Sequence, residues 1–392
     1  MTVLETTGAL CGLLTVPGTI ELLFLTTGAV LPRKREARGS SDQPFRLAVV
    51  VPAHNEESSI ARCVRSLRDA DLNGVELTIV VIADNCTDRT AAEAMLAGAR
   101  VLERTDAQRR GKGYALDYAF KILLPEWHDA FAVVDADSEV SRNFCAETAA
   151  RFRAGADATQ CRYVVRNAAA SVRTRLMNTA LLAFNVLRPR GRDRLGLSAG
   201  IYGNGFALSA RTLGAVPYTA DSVVEDLEYH IALVRAGRRV RFVDGAAVYG
   251  DMPEAGAGVR TQRARWEGGR FRMMAEKTPF LLKEILRGKW RLIEPSLDLL
   301  LLPLAFHVVL LLIAAATPAT GVRTLGFAGL GIVALHLAAA IWTGGGRLRD
   351  FGVLAAAPFY IVWKILLLPR VLATSRSGAA WVRTERAKEK LP

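Results

Sequence analysis

Cysteine is scarce in this chain: five residues among 392, at positions 11, 63, 86, 145 and 161, with no CxxC spacing. An odd, scattered set is a poor disulfide framework, so a reducing, cytoplasmic setting is expected for the central region. Internal repeats and low-complexity tracts are also missing. Acidic side chains are outnumbered, 38 against 51 basic ones, which leaves a formal net charge of +13. Such an excess can mark nucleic-acid binding, but clusters such as LPRKREAR (31–38) lie beside apolar runs, as cytoplasmic flanks of membrane segments do. Membrane lipids and phosphates are therefore the expected partners, and nucleic acid is not.

Hydrophobic residues make up 51% of the chain, above ordinary soluble usage, so part of it is expected in lipid. The run 8–31 can cross roughly 30 Å of hydrocarbon as a helix. Its basic cluster follows the apolar run, unlike a cleaved signal peptide. The sequence thus predicts an amino-terminal transmembrane anchor over 1–35 and a cytoplasmic α/β domain over 45–255. Beyond these it predicts interfacial helices over 256–295 and a transmembrane hairpin over 296–343, from runs 296–316 and 324–343. The remainder, 344–392, reads as a re-entrant or interfacial helix (351–370) with a basic cytoplasmic tail. A third crossing would put that tail outside, against the charge rule. The localisation that follows is a multi-pass protein of the cell's inner or plasma membrane.

Between the anchors, RLAVVV, ELTIVVIA, ARVLER and AFAVV are short β-branched runs, each followed by helical spacing, which predicts a mostly parallel sheet. Ligands of such sheets bind beyond the carboxyl ends of the strands. Those ends are polar: PAHNEE, ADNCTDRT and DADSEV put Asn55, Glu56, Asp84, Asp88, Asp135 and Asp137 on one rim. Asp88 or Thr87 could instead cap the next helix, and Ser58 the one before it. Asp135 and Asp137, two apart where an apolar strand ends, suit a hard divalent cation that completes its shell with water and phosphate. In RRGKGYALD, Lys112 sits between glycines before a helix, where a phosphate is favoured. The pattern is neither a Walker loop nor a dinucleotide fingerprint. Glu225 and Asp226 begin a helix, where acids complement the dipole but can also serve as a general base.

PAHNE, ADNCTD, GKGYALD, DAD, GNGFALS, VED and QRARW occur in the order found in membrane-bound glycosyltransferase family 2, and the chain resembles that group over about 47–270. The group includes cellulose, chitin, hyaluronan and poly-N-acetylglucosamine synthases. The resemblance implies a GT-A nucleotide-diphospho-sugar transferase domain of α/β class, flanked by transmembrane and interfacial helices. It implies an inverting hexosyltransferase that takes a nucleotide-diphospho-sugar, usually UDP-linked, with Mg2+ or Mn2+. By position, Glu56, Asp84, Lys112 and Asp135 would contact the nucleotide-sugar, and Asp137 with Asp135 would hold the metal. Asp226, with Glu225 beside it, would be the catalytic base. Gln262, Arg265 and Trp266 would bind the acceptor, the indole stacking on a sugar ring.

This sequence departs from the group's pattern at Ala83, Asn85 and Asp117, which stand where Asp, Gly and Asn are usual. It also has fewer carboxy-terminal spans than long-channel synthases, so a partner subunit for export or assembly is an expectation for polymer synthesis. Three activities follow. The first is addition to a growing polysaccharide, such as an exopolysaccharide. The second is transfer of one sugar to a membrane lipid, and the third is an inactive glycan-assembly subunit. QRARW favours the first and the short membrane region the second, while intact DAD and VED motifs oppose the third.

Overall fold

A computed structural model describes residues 2–32, 43–219, 225–252, 257–346 and 350–375; in the helix starting at 257, the side chains of 257–259, 261, 262 and 265 are also left aside. The chain begins with helix α1 (Val3–Val30) and then enters alternating strands and helices. These run β1 (Phe45–Ala53), α2 (Ile60–Arg68), β2 (Val75–Asp84), α3 (Thr90–Leu96), β3 (Arg100–Arg104), α4 (Lys112–Leu123), β4 (Ala130–Val133), β5 (Glu139–Val140), α5 (Phe144–Arg153) and β6 (Ala158–Val165). Next come α6 (Val172–Leu182), a π-helical turn at Ala183–Leu187 and α7 (Arg188–Arg194). The sheet resumes with β7 (Phe206–Ser209), α8 (Ala210–Ala215), α9 (Glu225–Arg235) and β8 (Val240–Gly250). Five helices follow: α10 (Ala257–Leu286), α11 (Ile293–Leu300), α12 (Leu304–Ala315), α13 (Thr320–Thr343) and α14 (Ala357–Thr374).

The chain divides into two compact units. The α/β unit comprises 33–167 and 197–252. Its eight strands are ordered β3-β2-β1-β4-β7-β6-β8-β5, parallel through β3-β2-β1-β4 and again at β6-β8, with β7 and β5 antiparallel to their neighbours. The long apolar runs explain this choice. Val49, Val50 and Val51 are all fully buried, as strands covered on both faces must be. Val49 and Val51 on one face of β1 join Ile60, Cys63, Val64 and Leu67 of α2 in a single core, so the loop following β1 is held between a rigid strand and a packed helix.

The helical unit comprises 1–32, 168–196 and 253–386. Residues 168–196 lie within the stretch expected to form one domain over 45–255, yet they pack with the helices. The reason is chemical: α7 reads RPRGRDR, and its arginines find partners there. Arg192, 1% exposed, meets Glu21 at 3.0 Å, Asp298 at 2.7 Å and Glu294, while Arg194 donates to Ala29 O and Leu31 O. A buried guanidinium is tolerated only when it is paired in this way. Gly191 lets the backbones of α7 and α1 touch, since a Cβ there would run into the Leu25 carbonyl.

Among the described residues, three helices are long and apolar enough to cross a membrane: Val3–Val30, Thr320–Thr343 and Gly352–Thr374. The run 296–316, expected as one span, is broken after Leu300 and bent by 79°, the chain resuming as a helix behind Pro303. Proline cannot donate its missing N–H to the helix before it. The last stretch, expected as re-entrant or interfacial, has a span's length and apolarity. The basic cluster at 33–38 and the tail beyond 375 lie outside the described residues. Replacing Gly191 with Ala is expected to destabilise the helical unit by about 1–3 kcal/mol through overpacking, read as a lower melting temperature in detergent.

Candidate active site

The loops leaving β1 and β2 are stitched together by short side chains. Asn55 adopts a left-handed conformation (φ 55°), and its Oδ1 accepts from Thr87 N at 2.8 Å. Glu57 N donates to Asp88 at 3.2 Å, Arg89 N to Glu57 at 3.0 Å, and Glu56 N to Thr90 Oγ1 at 2.7 Å. Asp88 also accepts from Thr90 N at 3.0 Å, and despite partial desolvation these bonds hold its carboxyl below the usual range. It therefore serves the turn preceding α3, while Arg89 is that helix's N-cap residue. Ser58 does not cap α2; Ser59 occupies the N-cap, and its hydroxyl turns back to Glu56 Oε2 at 2.8 Å. Glu56 is thus fixed within a rigid double loop.

Asp84, the last residue of β2, is buried, and its Oδ1 takes hydrogen bonds from Arg104 at 2.6 Å and Asn85 Nδ2 at 3.0 Å. Arg104 comes from the end of the neighbouring parallel strand, where the register pairs the two residues, and it also reaches Asp106 at 3.1 Å. Asn85 replaces the usual glycine without strain being evident in its bonding. It takes φ 51°, a conformation Asn tolerates better than most residues, and its Oδ1 accepts from Asp106 N at 2.8 Å. Sequence reasoning missed Arg104; a basic residue ending a strand beside an acidic strand end was the available signal.

Asp135 and Asp137 flank buried Ala136, and both residues are half-exposed. Their loop is clamped from behind by Asn204, which is 1% exposed. Its Oδ1 accepts from Asp135 N at 3.1 Å and its Nδ2 donates to Ser138 Oγ at 2.9 Å. Gln160, fully buried, in turn holds this segment through Asn204 O at 2.8 Å and Tyr202 N at 3.0 Å. Gly203 and Gly205, at φ 76° and 73°, allow the Asn204 turn. Cys63 donates its thiol to Asp135 O, and burial near Asp137 and Asp135 raises its pKa so that it stays protonated.

Lys112, first residue of α4, ties these pieces together. Its ammonium pairs with Asp135 and donates to Gly203 O. A Cβ on Gly203 would stand 3.4 Å from Asp226 Oδ2, so the acids of α9 reach the same place. Desolvation pulls the Lys112 pKa down, but Asp135, Glu225 and Asp226 outweigh it and hold the group firmly cationic. Desolvation raises Glu225 to about 8, with the Asp226 charge adding to it. Asp226 is raised for the same primary reason, against a stabilising bond from Leu227 N at 2.8 Å. The desolvating wall is aromatic: Tyr218, 2% exposed, lies 4.6 Å from Tyr229 and 5.7 Å from Phe120 between ring centres. His230 takes no part, bonding Ser198 Oγ at 2.9 Å.

One cation faces two carboxylates, Asp135 and Asp226, with protonated Glu225 beside them, which leaves negative charge in excess. Among the described residues no three His, Cys, Asp or Glu side chains converge as a metal site. Asp135 and Asp137, two half-exposed acids two residues apart, nevertheless have the donor chemistry that suits a hard cation taking most of its oxygens from phosphate and water. Gln262, Arg265 and Trp266 belong to α10 in the helical unit. The side chains of Gln262 and Arg265 lie outside the described residues, and Trp266 is half-buried with the Arg263 guanidinium 5.8 Å from its ring centre.

Residues 48–213 match the family model described as glycosyl transferase family 2. The chain carries a glycosyltransferase family 2 domain. Its α/β unit has a GT-A-like fold. Over 308 residues the chain is 26% identical to a beta-monoglucosyldiacylglycerol synthase of Trichormus variabilis, covering 74% of this chain and 64% of that protein. A 101-residue stretch is 39% identical to a low-salt glycan biosynthesis hexosyltransferase of Haloferax volcanii, 25% of this chain and 22% of that one. The chain spans less than two thirds of the length of these curated relatives. In fold, it is similar to a mannosyltransferase from Pyrobaculum calidifontis solved with GDP-Man and Mn2+, with TM-score 0.54 and 17% identity over 92% of this chain and 99% of that one. The matched model ends before Glu225 and Asp226, so the glycosyltransferase assignment does not rest on them.

Two outcomes follow from the clamp and the acid pair. Asn204→Ala leaves Asp135 N without its buried acceptor and should cost about 1–3 kcal/mol of stability in denaturant or thermal unfolding. Folded Glu225 keeps its proton up to about pH 8, whereas the unfolded chain releases it near the ordinary glutamate value of 4.5. Stability therefore falls as pH rises through that window. Glu225→Gln should flatten the decline in melting temperature between pH 5 and 8.5, raising it at the alkaline end by about 2–4 °C.

Proposed function

We propose that this chain transfers a single sugar, with inversion, from a nucleotide-diphospho-sugar to a hydroxyl of a membrane lipid. The observation that carries the transferase chemistry is the convergence of Lys112, Asp135, Gly203 and Asp226 beside the clamped strand-end loops. Glu56 and Asp84 hold the nucleoside, Asp84 kept in place by Arg104. Lys112 exchanges its Asp135 contact for the diphosphate. Asp137, with Asp135, would hold Mg2+ or Mn2+, which supplies charge neutralisation on the departing diphosphate.

Asp226 is the base. It accepts the proton of the acceptor hydroxyl as that oxygen bonds to the anomeric carbon, while the bond from that carbon to the diphosphate oxygen breaks on the opposite face. The nucleoside diphosphate leaves with the bonding pair. Tyr218 and its aromatic neighbours keep water from the carboxyl pair and raise its basicity. Glu225, kept protonated by burial, stands beside the base as a neutral carboxyl.

The lipid acceptor is supported by the extended likeness to a diacylglycerol-glucosylating enzyme and by three helices fit to cross a membrane. A second reading, addition to a growing polysaccharide, is supported by the QRARW motif at 262–266. Product length separates them. With excess labelled UDP-sugar and membranes, a lipid bearing one sugar is expected; a ladder of longer products would overturn the single-transfer reading.

Asp226→Asn should lower kcat by about 10²–10⁴-fold with the protein still folded. Because the chain's own ligands are few, Mn2+ should bind weakly alone and markedly more tightly with nucleoside diphosphate present, as isothermal titration would read. Asp137→Ala should remove that coupling.

A further inference from the structure

The helical unit holds an excess of positive charge that transfer chemistry in the α/β unit does not use. It lies where α6, α10 and α14 meet. Arg173, in the first turn of α6, stacks its guanidinium over the Trp363 ring at 4.7 Å. Arg260 and Arg263 are three apart on α10 and so share a face. Arg263 donates to Tyr360 Oη at 2.8 Å, and that ring lies 5.5 Å from Trp363. Two aromatic rings of α14 thus floor a patch rimmed by arginines from two other helices.

The nearby acid does not balance these charges. Glu267 is held by Lys364 at 2.6 Å, both side chains under a tenth exposed, and Arg263 lies 3.7 Å from the same carboxylate. One carboxylate therefore serves two cations. No carboxylate among the described residues lies within ion-pair distance of Arg173 or Arg260, and Arg263 and Arg260 both depress the Arg173 pKa, after desolvation. The helix end compounds the imbalance. The first turn of α6 has no acidic residue, so Arg173 sits at the positive end of the helix dipole, where a cation is unfavourable and an anion is welcome.

The outward side of α14 indicates what carries the anion. Phe359, Val362 and Leu366 recur at helical spacing and are 80%, 56% and 75% exposed, whereas Tyr360, Lys364 and Leu367 turn inward against α10. A helix with its charge inside and its apolar stripe outside is arranged for lipid. Basic recesses between such helices suit lipid head groups, and arginine's planar fork matches phosphate.

We propose that Arg173, Arg260 and Arg263, over the Tyr360–Trp363 floor, form a binding site for the phosphate of an anionic phospholipid. The site is separate from the residues assigned to donor and base. It does not depend on the transferase reading, because binding needs no nucleotide-sugar.

The full chain, purified in detergent, is titrated with phosphatidylglycerol, and lipid retention is read by native mass spectrometry alongside the melting temperature. Phosphatidylglycerol is expected to be retained and to raise the melting temperature, and Arg173→Gln/Arg260→Gln to weaken retention about thirtyfold. If the double variant does not fold, Arg260→Gln alone, at an exposed side chain, should weaken retention about fivefold. Unchanged retention in the folded variants would overturn the proposal. So would equal retention of diacylglycerol, which lacks the phosphate. A matching stabilisation by inorganic phosphate at the same concentration would assign the site to the free ion and overturn the lipid assignment.

Discussion

The α/β unit depends on a single ammonium held among carboxylates. Lys112 begins α4, yet its charge meets the acid that ends the central strand and feels both acids that begin α9. Three elements, the first and last of them far apart in sequence, are thereby drawn to one point. Without this cation the acids would face one another across a poorly solvated recess, and mutual repulsion would oppose closure. The cation remains outnumbered, however. The site therefore retains a pull on further positive charge.

Much of this arrangement was legible in the sequence. Continuous Val and Ile runs announced buried parallel strands, and acidic triplets directly after them marked the rim on which Asp84, Asp135 and Asp137 indeed lie. What could not be read was the support behind the rim. Asn204 was visible only as part of a motif, and Gln160 not at all, because an amide in the middle of a strand carries no periodic signal. Arg104 was hidden for a related reason: its partner lies on a neighbouring strand, and register is a property of the folded sheet.

The helical unit taught a different lesson. Hydropathy located its long segments but not the break before Pro303, because a window average is blind to one bend. It also passed over RPRGRDR, whose charge suggests a solvated loop. In fact Arg188, Arg190 and Arg192 of α7 are buried, and Glu21, Glu294 and Asp298 from other helices neutralise Arg192. Charge inside an apolar assembly is thus a matter of partners brought from far along the chain, and composition alone does not reveal them.

Interleaving has a consequence for the order of assembly during synthesis. Residues 168–196 of the helical unit are made after β6 but before β7, and α9 and β8 come later still. A ribosome that has delivered the loops after β1 and β2 has therefore supplied neither the Asn204 clamp nor the acids of α9. The nascent chain must first emit a segment belonging to the other unit. The acids of α9 are made only after both α1 and α7 have left the ribosome.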